Sequence, residues 1–307
     1  LGNGVRVVTH HMPHLETVAL GVWVATGARH ERLGEQGISL LLEHMAFKGT
    51  AKRTARAIAE EIEQVGGDLN AATSLEMTAY YARVLKGDEG LALGILADIL
   101  QASLFAPDDL TREKEVILQE IAGIKDSPDE LAYDLIQDAA YPDQPVGRPL
   151  IGAPESASAI TAATLRGCLA AHYRAPHLVI SAAGAVDHAT MTRHAEALFS
   201  TLDVQPQEPE VPARYVGGVR HSTKSFEQSH LLAGFRSPSY RDPSFYAAQV
   251  LSGVLGGGMS SRLFQEAREN RGLCYSIYSS AWGVGDTGML AIHAATGGEM
   301  MAELIEV

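Results

Sequence analysis

The sequence predicts an α+β fold of two related units, each an antiparallel sheet packed with helices. Two observations lead there. Segments of period two and segments of helical period alternate along the chain without a regular βαβ rhythm. After a proline-rich stretch the same order of segments starts again, which reads as an internal duplication.

The elements follow in order. Residues 5–11 and 17–26 alternate as strands, the second running into a Gly-Ala loop. Helical patterns cover 35–47 and 54–65, and 68–74 with 77–85 read as a strand pair. A long helical region occupies 87–104, 108–126 and 129–140. Residues 178–186 form a strand and 188–200 a helix. DVQPQEPEVPA (203–213) is a linker, since three prolines and no apolar period exclude a regular element. Beyond it come a strand at 230–235, a helix at 243–255, a glycine turn into another helix, a strand pair, and a helix that runs to the last residue. The expected organisation is therefore a first domain over 1–202, the linker over 203–213 and a shorter second domain over 214–307. That second domain is expected to be truncated.

Composition bounds the function. The chain has 307 residues, enough for two cored domains, with 46% hydrophobic and 20% charged residues. A net charge of -13 excludes a general nucleic-acid binder, which needs a basic face, and suits basic ligands. Two cysteines provide neither a disulfide framework nor a paired metal motif. No apolar run is long enough to span a membrane. The chain opens on LGNG without a basic-then-apolar leader, and a trimmed start is expected.

Chemistry concentrates in SLLLEHMAF (39–47), where Glu43 and His44 interrupt an otherwise apolar helix. Burying a carboxylate and an imidazole costs several kcal/mol unless they are paired or bind a metal. The helix DDLTREKEVILQEIAGIKD (108–126) carries an apolar face of Leu110, Ile117, Ile121 and Ile124. Glu113 and Glu120, seven residues apart, project onto that face, or onto its edge where they reach water. A divalent metal would satisfy the Glu-His pair and the inward carboxylates together, and zinc accepts both donor types. A histidine one turn before His44 would complete the set, but Leu40 stands there. His10, His11, His14 and His30 lie on strands or loops and are expected to be ordinary surface histidines. LGGGMSS lacks the Gly-Lys-Ser/Thr ending of a phosphate loop.

GISLLLEHMAFKGT resembles the H-x-x-E-H signature of the inverzincin metallopeptidases, with Leu40 in place of the first histidine. The whole chain resembles the pitrilysin, insulysin and mitochondrial processing peptidase family, in its bacterial processing-protease-like branch. That resemblance implies a clamshell of two related domains and a zinc endopeptidase acting on extended, presequence-like peptides. It assigns zinc ligation to His44 and Glu120, the general base to Glu43 and a supporting carboxylate to Glu113. LNAAT (69–73) resembles the strand on which the peptide is laid by β-augmentation, implicating Asn70 and Ala71. GGGMSSRLFQEARENRGLCYSI resembles the family's Arg/Tyr element, with Arg268 and Tyr275 directed at substrate and developing oxyanion. A homodimer or a heterodimer with a related subunit is implied, in bacterial cytoplasm or an organelle matrix.

Leu40 alters the expectation. Residues i and i+4 share a helix face, so two histidines there would grip one ion, and leucine has no donor to offer. Weak zinc binding and impaired cleavage follow. Two accounts stay open: an otherwise active enzyme carrying one substitution, or a naturally non-catalytic partner subunit or peptide-binding module.

Overall fold

The computed structural model describes residues 1–206 and 210–307 and places them in two compact units. The first comprises Leu1–Gln119 and Leu150–Glu210, the second Glu120–Pro149 and Val211–Val307. The segment 120–149 thus interrupts the domain expected over 1–202. Of the expected linker, 207–209 lies outside the described residues, and 203–206 and 210–226 carry no helix or strand.

The first unit is built on a five-stranded sheet of order β1-β5-β2-β4-β3, from β1 (Arg6–His11), β2 (Thr17–Val24), β3 (Asp68–Thr73), β4 (Thr78–Leu85) and β5 (Leu178–Gly184). β2 pairs antiparallel with β4 and β5, and β3 antiparallel with β4. β1 and β5 pair in parallel, which the expected all-antiparallel sheet did not include. The long stretch between them makes a parallel return possible. Alternation decides the faces. Val18, Leu20, Val22 and Val24 of β2 and Tyr80, Ala82 and Val84 of β4 are buried, while their neighbours Ala19, Arg83 and Leu85 are exposed.

Helices α1 (Ile38–Ala46), α2 (Ala55–Glu63) and α3 (Glu89–Gln101) follow the expected places within a few residues. α3 has Leu93, Ile95, Leu96 and Ile99 almost wholly buried, as befits a helix apolar on most sides. α4 (Pro107–Asp126) is a continuous helix on which the unit boundary falls after Gln119. α5 (Pro128–Ala140) comes next. Two helices appear that the pattern did not mark, α6 (Pro154–Ala159) and α7 (Ala162–His172). α6 is six residues long, and α7 buries only Leu165 fully, so neither carries a strong apolar stripe. α8 (His188–Phe199) closes the unit, N-capped by Asp187.

The second unit holds a three-stranded antiparallel sheet, β6-β8-β7, from β6 (Ser229–Ser237), β7 (Ser276–Gly283) and β8 (Gly288–Thr296), with α9 (Phe245–Gly256) packed on β7 and α10 (Met301–Glu306) at the end. Its order repeats β2-β4-β3 of the first sheet. α5 belongs here because it packs on β6: Ile136 would collide with a Cβ at Gly234, and the Tyr141 hydroxyl lies 3.0 Å from Thr287 Oγ1. Between α9 and β7 the expected helix is a π-helical segment, Phe264–Asn270.

Candidate active site

α1 begins at Gly37, whose φ of 89° lies in the left-handed region. A Cβ there would fall 2.4 Å from the Ile151 carbonyl oxygen, so glycine is required on both counts. The Glu31 carboxylate fixes the helix start by accepting from the backbone N–H groups of Gly37 at 2.8 Å and Ser39 at 2.9 Å. An acidic group at this end also complements the helix dipole. From this anchored start, Leu41, Leu42 and Met45 enter the core with at most 2% exposure.

The opposite side of α1 carries the chemistry. Glu43 is buried, and the Thr73 hydroxyl at the end of β3 donates to its Oε2. His44 and Leu40 are half-buried and lie four residues apart on one helix face. His44 Nδ1 lies 3.2 Å from Glu113 Oε2, and Lys48 Nζ lies 2.6 Å from Glu113 Oε1. An ionised carboxylate only accepts, so Nδ1 carries a proton and donates to it. Glu113 is therefore buried between two cationic or donating groups, one from the last turn of α1 and one from the turn that follows it.

Glu120 differs from the expectation of two inward carboxylates: Glu113 is 7% exposed, but Glu120 is exposed. The buried stripe of α4 centres on Leu110, Ile117 and Ile121. Both glutamates project at its border, and what buries Glu113 is its pair of partners, His44 on α1 and Lys48 just after it. Glu120 opens the part of the helix that counts with the second unit. Asn70 is exposed and Ala71 half-buried on β3, an edge strand paired on one side only. In the second unit, the Arg268 guanidinium sits 4.9 Å from the centre of the Tyr275 ring and 4.6 Å from that of Phe264. Phe264 and Arg268 lie four residues apart, neighbours on one face of this helical segment.

Lys48 and Thr73 are the two members of this arrangement that sequence reasoning passed over. Lys48 stands four residues after His44, the same spacing that made Leu40 conspicuous. Thr73 offered no such signal, because its partner lies on another element. His30 also departs from the expected surface histidine: its side chain is 7% exposed, with Nδ1 3.1 Å from the Gly27 backbone nitrogen.

A sequence profile of the insulinase family (peptidase family M16) matches residues 6–154, and one for the peptidase M16 inactive domain matches 159–307. The chain belongs to the peptidase M16 family. An uncharacterized zinc protease of Rickettsia felis is 44% identical over 297 residues, covering 96% of this chain and 72% of that protein. The uncharacterized zinc protease YmxG of Bacillus subtilis is 39% identical over 306 residues, covering 99% and 74%. Among solved structures, a peptidase M16 inactive domain from Pseudomonas fluorescens superposes with a TM-score of 0.91 at 24% identity, covering 99% of this chain and 77% of that one. A protease from Helicobacter pylori gives 0.91 at 20% identity, covering 100% and 77%. At that identity the structural likeness speaks to the fold.

The names of these M16 relatives bring zinc into question. A catalytic zinc needs three protein donors and an open position. Beside His44, the next donor position on the helix face holds Leu40, whose side chain has no lone pair. Among the described residues, no three His, Cys, Asp or Glu side chains converge as a metal site. The residues present do not fit a three-donor zinc site. No helix among the described residues is long and apolar enough to cross a membrane.

Proposed function

We propose that this chain is an M16 zinc-peptidase scaffold, built to cleave extended or presequence-like peptides, in which Leu40 impairs catalysis while the peptide-holding surface is retained. The observation that carries the reading is the arrangement on α1. Glu43 is held against the edge strand β3 by Thr73, His44 is held by Glu113, and Leu40 fills the donor position one turn earlier.

The retained contacts favour an enzyme altered at one position. A carboxylate on Nδ1 is the arrangement that fixes a ligating imidazole with Nε2 as the donor. Glu43 lies beside the edge strand, where a general base would stand next to a bound peptide. Glu120 as distal ligand and Arg268 and Tyr275 as oxyanion and substrate contacts complete the family's assignment by position. As the chain stands, no hydrolytic step runs through zinc.

The test is peptide hydrolysis by the protein and by Leu40→His, each supplied with zinc. Losing a group that merely orients a ligand costs roughly 10–100-fold, so restoring a ligand should raise the rate by more than about 100-fold. If Leu40→His binds zinc and still cleaves nothing, the enzyme reading fails. A second reading, a module that holds peptides without cutting them, rests on β3 alone. An exposed strand edge offers backbone donors and acceptors to an extended chain, and the acidic balance favours basic sequences. Ala71→Pro removes a strand donor and should abolish peptide binding. Binding that survives it rules out this mode.

A further inference from the structure

The edge of β3 is not bare. The Ala71 backbone N–H donates to Asn70 Oδ1 at 2.8 Å, so a donor of the edge strand is engaged by the side chain of the preceding residue. β3 pairs with β4 on one side and with no strand on the other among the described residues. Exposed edges template pairing with other chains, and proteins blunt them with lysine, proline or bulges. The strand DLNAAT carries neither lysine nor proline.

We propose that Asn70 is a self-cap on the β3 edge: its side-chain oxygen occupies the Ala71 N–H and must be displaced before an extended peptide can pair there. The proposal rests on the peptide-holding reading above and reverses the sense of Asn70 in it. The side chain competes with the peptide instead of contacting it. Asn70 is thereby a positioning residue that sets how readily the strand accepts a guest. It admits chains able to supply a better acceptor, a peptide carbonyl within a cooperative ladder, and turns away isolated contacts. The same device keeps two copies of the edge from pairing with each other.

Two measurements test it on the whole protein. The first needs no ligand: amide hydrogen exchange at Ala71 should accelerate about two- to ten-fold in Asn70→Ala, the range expected for one net hydrogen bond. The second is fluorescence anisotropy with a short, uncharged, labelled peptide rich in Thr and Ser. Asn70→Ala should bind it about two- to ten-fold more tightly than the parent. Asn70→Asp should bind more weakly than the parent, because a carboxylate is the stronger acceptor. Unchanged exchange at Ala71 in Asn70→Ala overturns the cap. Weaker or equal peptide binding by Asn70→Ala overturns the competition. If Ala71→Pro binds as well as the parent, or the parent binds no peptide, the peptide-holding reading fails, and the exchange measurement still decides whether the cap exists.

Discussion

Thr73, the last residue of β3, donates its hydroxyl to the buried carboxylate of Glu43 on α1. This contact joins the strand proposed to receive a peptide to the residue proposed as base. Thr73→Val keeps the shape and removes the donor. Hydrogen bonds to charged groups contribute about 1.5–3 kcal/mol, so the variant should lose roughly that much stability. In urea unfolding the midpoint falls while the slope stays constant. An unchanged midpoint would mean that Glu43 is held by its other contacts.

Gly37→Ala should be worse than its size suggests. The left-handed backbone alone costs a residue with a Cβ about 1–2 kcal/mol. The added methyl also meets the Ile151 carbonyl, so α1 must shift or its first turn unwind. The expected loss is above about 2 kcal/mol, read by thermal unfolding. A loss below that would show that the loop at Ile151 yields easily.

Asp98 on α3 is buried and accepts from Thr50 Oγ1 at 2.7 Å and from the Arg53 guanidinium at 2.9 Å. Removing one member of a buried pair strands the other. Asp98→Ala should destabilise the first unit by about 3 kcal/mol, near the lower end of the range for such pairs because Arg53 retains Glu61. Arg53→Ala in the same background should then cost less than it does alone, which a double-mutant cycle measures.

Acid sensitivity follows from two histidines. Burial, with His30 and Arg32 nearby, pushes His172 down to about 4. Burial, with His230 at 3.1 Å, lowers His293. Both are neutral in the folded protein at neutral pH. The unfolded chain takes up their protons near the ordinary value of 6.5, so stability is complete above that pH and declines as pH falls towards about 4. The urea midpoint should drop between about pH 7 and 5. His172→Gln with His293→Gln should flatten the slope. A slope that survives the double variant assigns the acid sensitivity to other groups.

Much of this was legible beforehand because it rests on local spacing. The i, i+3, i+4 relation marked Leu40, Glu43 and His44 as one helix face, and period two marked β2, β4 and β3. What escaped notice depends on tertiary partners. Thr73 matters only because α1 lies against β3, and Glu113 is buried because His44 and Lys48, distant in sequence, lie over it. α7 escaped because its small residues leave no apolar period. The membership of α5 in the second unit was hidden because adjacency in sequence argues for the first.

The most direct measurement is zinc per chain by elemental analysis after exhaustive dialysis, on the protein and on Leu40→His in parallel. The protein should hold well below one equivalent and Leu40→His close to one. A full, tightly held equivalent in the protein with Leu40 in place would contradict this, since another group would then be supplying the donor that leucine lacks.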